Sequence, residues 1–196
     1  MKIFRQIFFI VIISSFIVPS FAKDAAEFIS EITKSASDIL KENISVEEKA
    51  EKLIVIAENT VDIDGIGLYS LGKHRKSINE EQLNRYKSIF REYFLKSFSS
   101  RLSQYSDPKI IVVSQKVINE KYTIVSSKLV ETSERPEIKI DWRVYTINPD
   151  VPLIRDLIIE GLSLARTQKE EFNSVIQSAD GDVNALFANL ESFNSK

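Results

Sequence analysis

The stretch from Ile138 to Phe172 changes hydrophobic period twice without losing apolar character, which restricts the chain more than any other segment does. Ile138, Ile140, Trp142 and Val144 alternate with Lys139, Asp141, Arg143 and Tyr145, the two-residue repeat of a strand with one face on an apolar interior. Asn148-Pro149-Asp150 breaks the run. Leu157-Ile158-Ile159 is too short for a helix and stops at Glu160-Gly161, so it reads as a second strand pairing with the first. Thr167 with Glu170 then has the spacing of a capping box for a helix carrying Phe172, Val175 and Ile176. A hairpin feeds a helix.

The chain before this junction is helical. Between Asp24 and Lys41, Phe28, Ile29, Ile32, Ala36, Ile39 and Leu40 form one stripe at helical spacing. Ser45 and Glu48 are a capping box for a second helix ending near Val61, with Leu53 and Ala57 on its inner face. Asp62 and Asp64 are spaced as caps for a short third helix, Ile66 to Lys73. Ser77 with Glu80 predicts the start of the longest helix, Ile78 to Ser103, whose face of Leu83, Tyr86, Phe90, Phe94, Phe98 and Leu102 is strongly aromatic.

After Asp107-Pro108 the chain turns rich in Ile and Val. Ile110 to Ile118 reads as a strand, Asn119-Glu120 as a turn, and Tyr122 to Val130 as its antiparallel neighbour. With the strands from 138 and from about 155 this makes a four-stranded antiparallel sheet. Asp180-Gly181 closes the helix that starts near Arg166, and Asp182 caps a last one holding Val183, Leu186, Phe187 and Leu190. The fold class expected is α+β, with N-terminal helices packed on a curled four-stranded sheet and helices at the C-terminus.

Lys2 and Arg5 precede an apolar run from Ile7 to Val18, and Ser20-Phe21-Ala22 offers small residues for cleavage after Ala22. About a dozen apolar residues suit an export signal better than a spanning helix, which needs about twenty. Residues 1–22 are therefore expected to be a signal peptide and residues 23–196 a single domain. Cleavage would leave 174 of 196 residues, enough for one core, and 24 basic against 28 acidic side chains. A general nucleic-acid binder needs the opposite balance.

Catalytic chemistry finds few residues to use. Cysteine is absent and His74 is the one histidine, placed in the run Lys73-His74-Arg75-Lys76, which reads as a solvated basic patch. A zinc site or a Ser-His-Asp set has little to draw on. Gly65-Ile66-Gly67 lacks the context and third glycine of a dinucleotide fingerprint. No metal site and no cofactor are expected.

Asp141-Trp142-Arg143, then Arg155-Asp156-Leu157-Ile158-Ile159-Glu160-Gly161-Leu162-Ser163-Leu164, then Thr167-Gln168-Lys169 with Glu171-Phe172 resembles the C-terminal signature of the MlaC or toluene-tolerance (Ttg2-type) family. That signature is roughly a D-[YW]-R strand, a D-x-x-x-E-G-x-S-L segment and a T-Q-[RK]-x-E-F helix start. Leu71-Gly72 also fits, whereas Val151-Pro152-Leu153-Ile154 stands where many relatives have G-W-x-[IV].

The resemblance implies an elaborated NTF2-like fold. It further implies a monomeric periplasmic carrier of phospholipid between an outer-membrane lipoprotein and porin complex, MlaA-like, and an inner-membrane ABC transporter complex, MlaD-like, that maintains outer-membrane lipid asymmetry. A carrier must enclose hydrocarbon. Exposing each methylene costs about 0.8 kcal/mol, so a sixteen-carbon tail opposes free diffusion by on the order of 12 kcal/mol. The candidates for lining its cavity are Phe90, Phe94 and Phe98 from the long helix, with Ile140, Trp142, Val144 and Ile158 from the sheet. Lys73, Arg75 or Arg143 would neighbour the headgroup.

Two other readings stand beside this one. An NTF2-like cavity enzyme would use a buried carboxylate, for which Asp141 is a candidate, although it shares its strand face with Lys139 and Arg143. A structural or chaperone-like periplasmic protein would show an exposed apolar patch instead.

Overall fold

The Asp24 side chain accepts from the Ala26 N–H at 2.8 Å and opens α1, Ala25–Lys41, in a computed structural model that describes residues 24–105, 107–148 and 150–196. The expected signal peptide, its cleavage after Ala22, and Pro149 lie outside the described residues. Ser45 and Glu48 form the expected capping box of α2, Val46–Thr60, at 3.1 and 2.9 Å.

Three helix starts differ from their sequence reading. Asp62 caps α3, Ile63–Leu71, three residues earlier than expected, because Gly65 donates its N–H to the Asp62 carboxylate at 2.9 Å. Asp64 falls within the first turn and pairs with Arg91 at 3.1 Å. After a 3₁₀ helix at Gly72–Lys76, α4, Glu80–Leu102, is opened by Asn79 with Gln82 and not by Ser77 with Glu80. The Ser77 hydroxyl is drawn back to the His74 carbonyl at 2.9 Å and is lost as a cap. Ser163, not Thr167, caps α5, Leu164–Ser178. The Thr167 hydroxyl donates to the Ser163 carbonyl one turn back, as a residue inside a helix does. Asp182 caps α6, Val183–Asn194, as expected.

The sheet is antiparallel in the order β1-β2-β3-β4-β5: Ile110–Asn119, Tyr122–Leu129, Ile138–Tyr145, Leu153–Ile159 and Leu162–Ser163. The four long strands match expectation. The two-residue fifth exists because Glu160 and Gly161 both take positive φ, 49° and 83°, which makes a two-residue hairpin turn where the sequence suggested a strand end. The molecule is α+β.

Register sorts the two faces. Val125 opposes Trp142 and Ser127 opposes Ile140 on one face, while Ile124 opposes Arg143 and Ser126 opposes Asp141 on the other. The first face is covered by α1, whose Phe28 and Ile29 join Val125, Leu129, Ile140, Trp142, Val144 and Ile154 in one buried cluster. A second cluster sits among the helices, where α4 packs on α2, α3 and α6 and buries Tyr86 and Phe90 with Phe172, Ile176 and Phe187. No helix among the described residues is long and apolar enough to cross a membrane.

Candidate functional site

The second face of the sheet is left partly uncovered, and a cleft of about 650 Å³ lies between it and α3. That volume is in the range of ordinary small-molecule sites, roughly 300–1,000 Å³. Tyr122, Ile124 and Ile158 give its sheet wall an apolar stretch. Ile118 from the end of β1, Tyr69 and Gly65 from α3, and Ala165 from the start of α5 complete the lining with Asn119. Four charged side chains share it: Arg75, Asp141, Arg143 and Arg155.

A bulge puts Arg155 there. Asp156 pairs with Arg143 and Ile154 with Val144, so Arg155 is the extra residue of β4 and turns toward the cleft. Its Nε donates to the Asp62 carboxylate at 2.5 Å and its Nη1 to the Tyr122 hydroxyl at 2.9 Å. Its guanidinium lies 3.6 Å from the centre of the Tyr145 ring, within reach of the negative face of the π system. Burial works against the charge, but the bonds to Tyr122 and Asp62 outweigh it and the pKa rises above the usual arginine value. Val61 bridges Ile154 in parallel and the Asp62 N–H donates to the Ile154 carbonyl at 2.9 Å, so the entry to α3 is fastened to the bulge by backbone as well.

Asp156 is the one buried carboxylate among the described residues. It accepts from the Ser163 hydroxyl at 2.6 Å and the Ala165 N–H at 3.0 Å, with Arg143 farther off at 3.9 Å. An unpaired N–H at the first turn of α5 is thereby satisfied from across the hairpin. The carboxylate is occupied by structure.

A family model described as MlaC protein matches residues 25–192, nearly all of the described chain. The chain belongs to the MlaC family. A phospholipid-binding protein from Ralstonia solanacearum, solved in complex with a phospholipid, superposes with a TM-score of 0.74 at 18% identity, covering 88% of this chain and 97% of that one. No curated protein sequence matches the chain.

The MlaC signature acquires a physical meaning in this geometry. Asp156, Glu160, Gly161 and Ser163 are the parts of one junction: Glu160-Gly161 makes the turn, Ser163 caps α5, and Asp156 holds both Ser163 and Ala165. Gln168 accepts from the Tyr93 hydroxyl at 3.0 Å, and Phe172 meets Phe90 edge-on, so the start of α5 is keyed to α4.

The seven candidate lining residues separate into three places. Ile158 lines the cleft. Ile140, Trp142 and Val144 are buried beneath α1, where Trp142 Nε1 donates to Ser127 Oγ at 2.8 Å. Phe90 is 2% exposed in the helical core, with Phe94 half-buried beside it and Phe98 stacked on Phe94 at 6.0 Å. α1 covers the apolar sheet face, and α4 packs chiefly on α2, α3 and α6. Of the expected headgroup neighbours, Arg75 and Arg143 line the cleft and Lys73 does not. His74 is buried, 8% exposed, donating from Nε2 to Asn173 Oδ1 at 3.1 Å. Gly72, with φ 58°, turns the chain so that His74 packs on α5 instead of joining a solvated patch. Asp141 does lie opposite Trp142, but that face is the one bordering the cleft.

Tyr69, Tyr122, Ile124 and Arg155 are site residues that the sequence reading passed over. One signal was present for two of them. The β2 segment carries Val125 and Leu129 in one phase and Tyr122 and Ile124 in the other, so both of its faces ask for apolar cover.

Proposed function

We propose that this MlaC-family chain is a phospholipid carrier, with its acyl chains held against Ile118, Tyr122, Ile124 and Ile158 and its phosphate near the arginines of the cleft. The observation that carries this is the pairing of an apolar wall with Arg75, Arg143 and Arg155 in one half-open space of about 650 Å³. Hydrocarbon gains by leaving water, and a phosphodiester gains from guanidinium donors, so one amphiphile satisfies both ends of such a site. The likeness to a fold that was solved with a phospholipid bound supports the same reading.

In this reading residues 1–22 are the export signal, residues 23–196 act as one monomeric domain in the periplasm, and no bond is made or broken. Lipid passes between an MlaA-like complex at the outer membrane and an MlaD-like transporter complex at the inner one, keeping the outer membrane asymmetric. The alternative of a cavity enzyme finds less support, since its candidate carboxylate, Asp141, borders the cleft without being buried, and the buried Asp156 is already committed to Ser163 and Ala165.

Organic extraction of the purified protein followed by mass spectrometry tests the proposal. Phospholipid at up to one molecule per chain is expected. Repeated preparations empty of it, and unable to take it up from vesicles, would sink the carrier reading.

A further inference from the structure

We propose that the cleft selects phospholipids whose headgroup ends in a primary ammonium, ethanolamine above choline or glycerol, and that Asp141 is the residue that selects; this rests on the carrier reading above. The charges around the cleft balance. Asp62 neutralises Arg155 across the bulge, and the buried Asp156 lies 3.9 Å from Arg143. What remains is Arg75 and Asp141, which both line the cleft and whose side chains have no ion pair or hydrogen bond among the described residues. One uncommitted cation and one uncommitted anion in the same half-open space are the counterpart of a zwitterion.

Position makes one headgroup site of them. Asp141 and Arg143 stand two residues apart on the cleft face of β3, about 7 Å along the strand. A phosphate that takes donors from Arg75 and from the 43% exposed Arg143 side chain has the group beyond it within reach of Asp141. Ethanolamine brings that carboxylate both a charge and three N–H donors. Choline brings the charge without a donor, and glycerol brings no charge. Open aromatic faces are the usual recognition device for a quaternary ammonium. Here the cleft tyrosines already hold cations, with Lys169 Nζ 5.1 Å from the Tyr69 ring centre and the Arg155 guanidinium 5.9 Å from that of Tyr122. Choline has to compete with those cations for the rings. An ion pair in half-open surroundings is worth about threefold in binding. The free headgroup compound, glycerophosphoethanolamine, shares this chemistry but lacks the chains that the apolar wall would hold.

The experiment offers the purified protein vesicles that contain phosphatidylethanolamine, phosphatidylcholine and phosphatidylglycerol in equal amounts with matched acyl chains. Because the three lipids share one surface, attraction of the protein to the vesicle does not bias the choice. The protein is re-isolated and its lipids are counted by mass spectrometry. Phosphatidylethanolamine should be enriched about threefold over phosphatidylglycerol, with phosphatidylcholine between them, and added salt should weaken the preference. Asp141→Asn, which keeps the shape and removes the charge, should bring the three lipids to parity. Arg75→Gln should lower uptake of all three alike and keep their order, since the phosphate is common to them. Uptake at the mixing ratio by the unaltered protein, equal uptake of the ethanolamine and choline lipids, or an ethanolamine preference that survives in Asp141→Asn overturns the proposal while leaving the carrier reading intact. Tight binding of glycerophosphoethanolamine in calorimetry without lipid selectivity assigns the charges to a free solute and also overturns it. Failure to take up any of the lipids removes the carrier reading and this inference together.

Discussion

Arg155 and Asp62 are joined at 2.5 Å across the boundary between sheet and helix, with the arginine supplied by a strand bulge and the aspartate by the cap of α3. The Asp62 carboxylate therefore performs two tasks at once, receiving the Gly65 N–H through one oxygen and the guanidinium through the other. Asparagine keeps capping ability but loses the charge, so Asp62→Asn separates the tasks. Arg155→Leu leaves a half-buried carboxylate and the Tyr122 hydroxyl without their partner. Both variants should lose about 1.5–3 kcal/mol, the scale of a charge-assisted hydrogen bond, in urea unfolding. A loss of under half a kcal/mol in each would mean that the pair is no stronger than an exposed one.

Gly67 is held to glycine by a ring. A Cβ built there would come within 2.7 Å of Phe90, which is 2% exposed and boxed by Tyr86, Phe94 and Phe172. In an open helix Gly→Ala stabilises by about 1 kcal/mol. Here overpacking opposes it with about 1–3 kcal/mol because the ring has nowhere to go. The net effect of Gly67→Ala should be destabilising, and Gly67→Ala/Phe90→Leu should recover part of the loss. Thermal melts of the two variants check the sign.

The two-residue repeat in Ile138–Tyr145 correctly told which side chains are buried, yet it could not tell what buries them. Trp142 is covered by α1 from more than a hundred residues upstream, and the useful space opened on the opposite, polar-looking face. Strand phase is local information, while the choice of covering helix is global. Capping shows the same division. Ser45 with Glu48 is decided within four residues and reads correctly. The start of α5 is decided in part by Asp156, which reaches the Ala165 N–H across a hairpin and lets the helix begin before the Thr167 motif. Arg155 was the least legible residue of all, since nothing in the local pattern marks it as the extra residue of a bulge.

Tyr86 and Tyr93 predict how the fold responds to alkali. Burial pushes both phenols above the ordinary value near 10, for Tyr93 with help from the nearby Glu171 carboxylate. A raised folded-state pKa means that the unfolded chain loses these protons first. Their contribution is complete below pH about 10 and declines as the pH climbs past it. Stability should therefore fall with rising pH in this range. Tyr86→Phe, which removes the hydroxyl that donates to the Gly67 carbonyl at 2.8 Å, should cost about 1 kcal/mol at neutral pH yet flatten the alkaline decline. An unchanged slope in urea titrations across that range would show that Tyr86 is not its source.

Two tryptophan substitutions distinguish the cleft from the core. Ile124 and Ile158 border the open space, so a larger ring can occupy it without displacing packed neighbours. Ile124→Trp and Ile158→Trp should each lower phospholipid occupancy severalfold in extracted samples while shifting the melting temperature by only a few degrees, since the half-buried wall has room to accept the ring. Val144 is fully buried beneath α1 with Val125 and Ile29. Val144→Trp adds a ring where there is no volume, and overpacking of that size costs about 1–3 kcal/mol or more. It should damage stability first and lipid content only through loss of fold. If Val144→Trp stayed folded and emptied the protein of lipid while Ile124→Trp left occupancy unchanged, hydrocarbon would have to sit under α1, on the other face of the sheet.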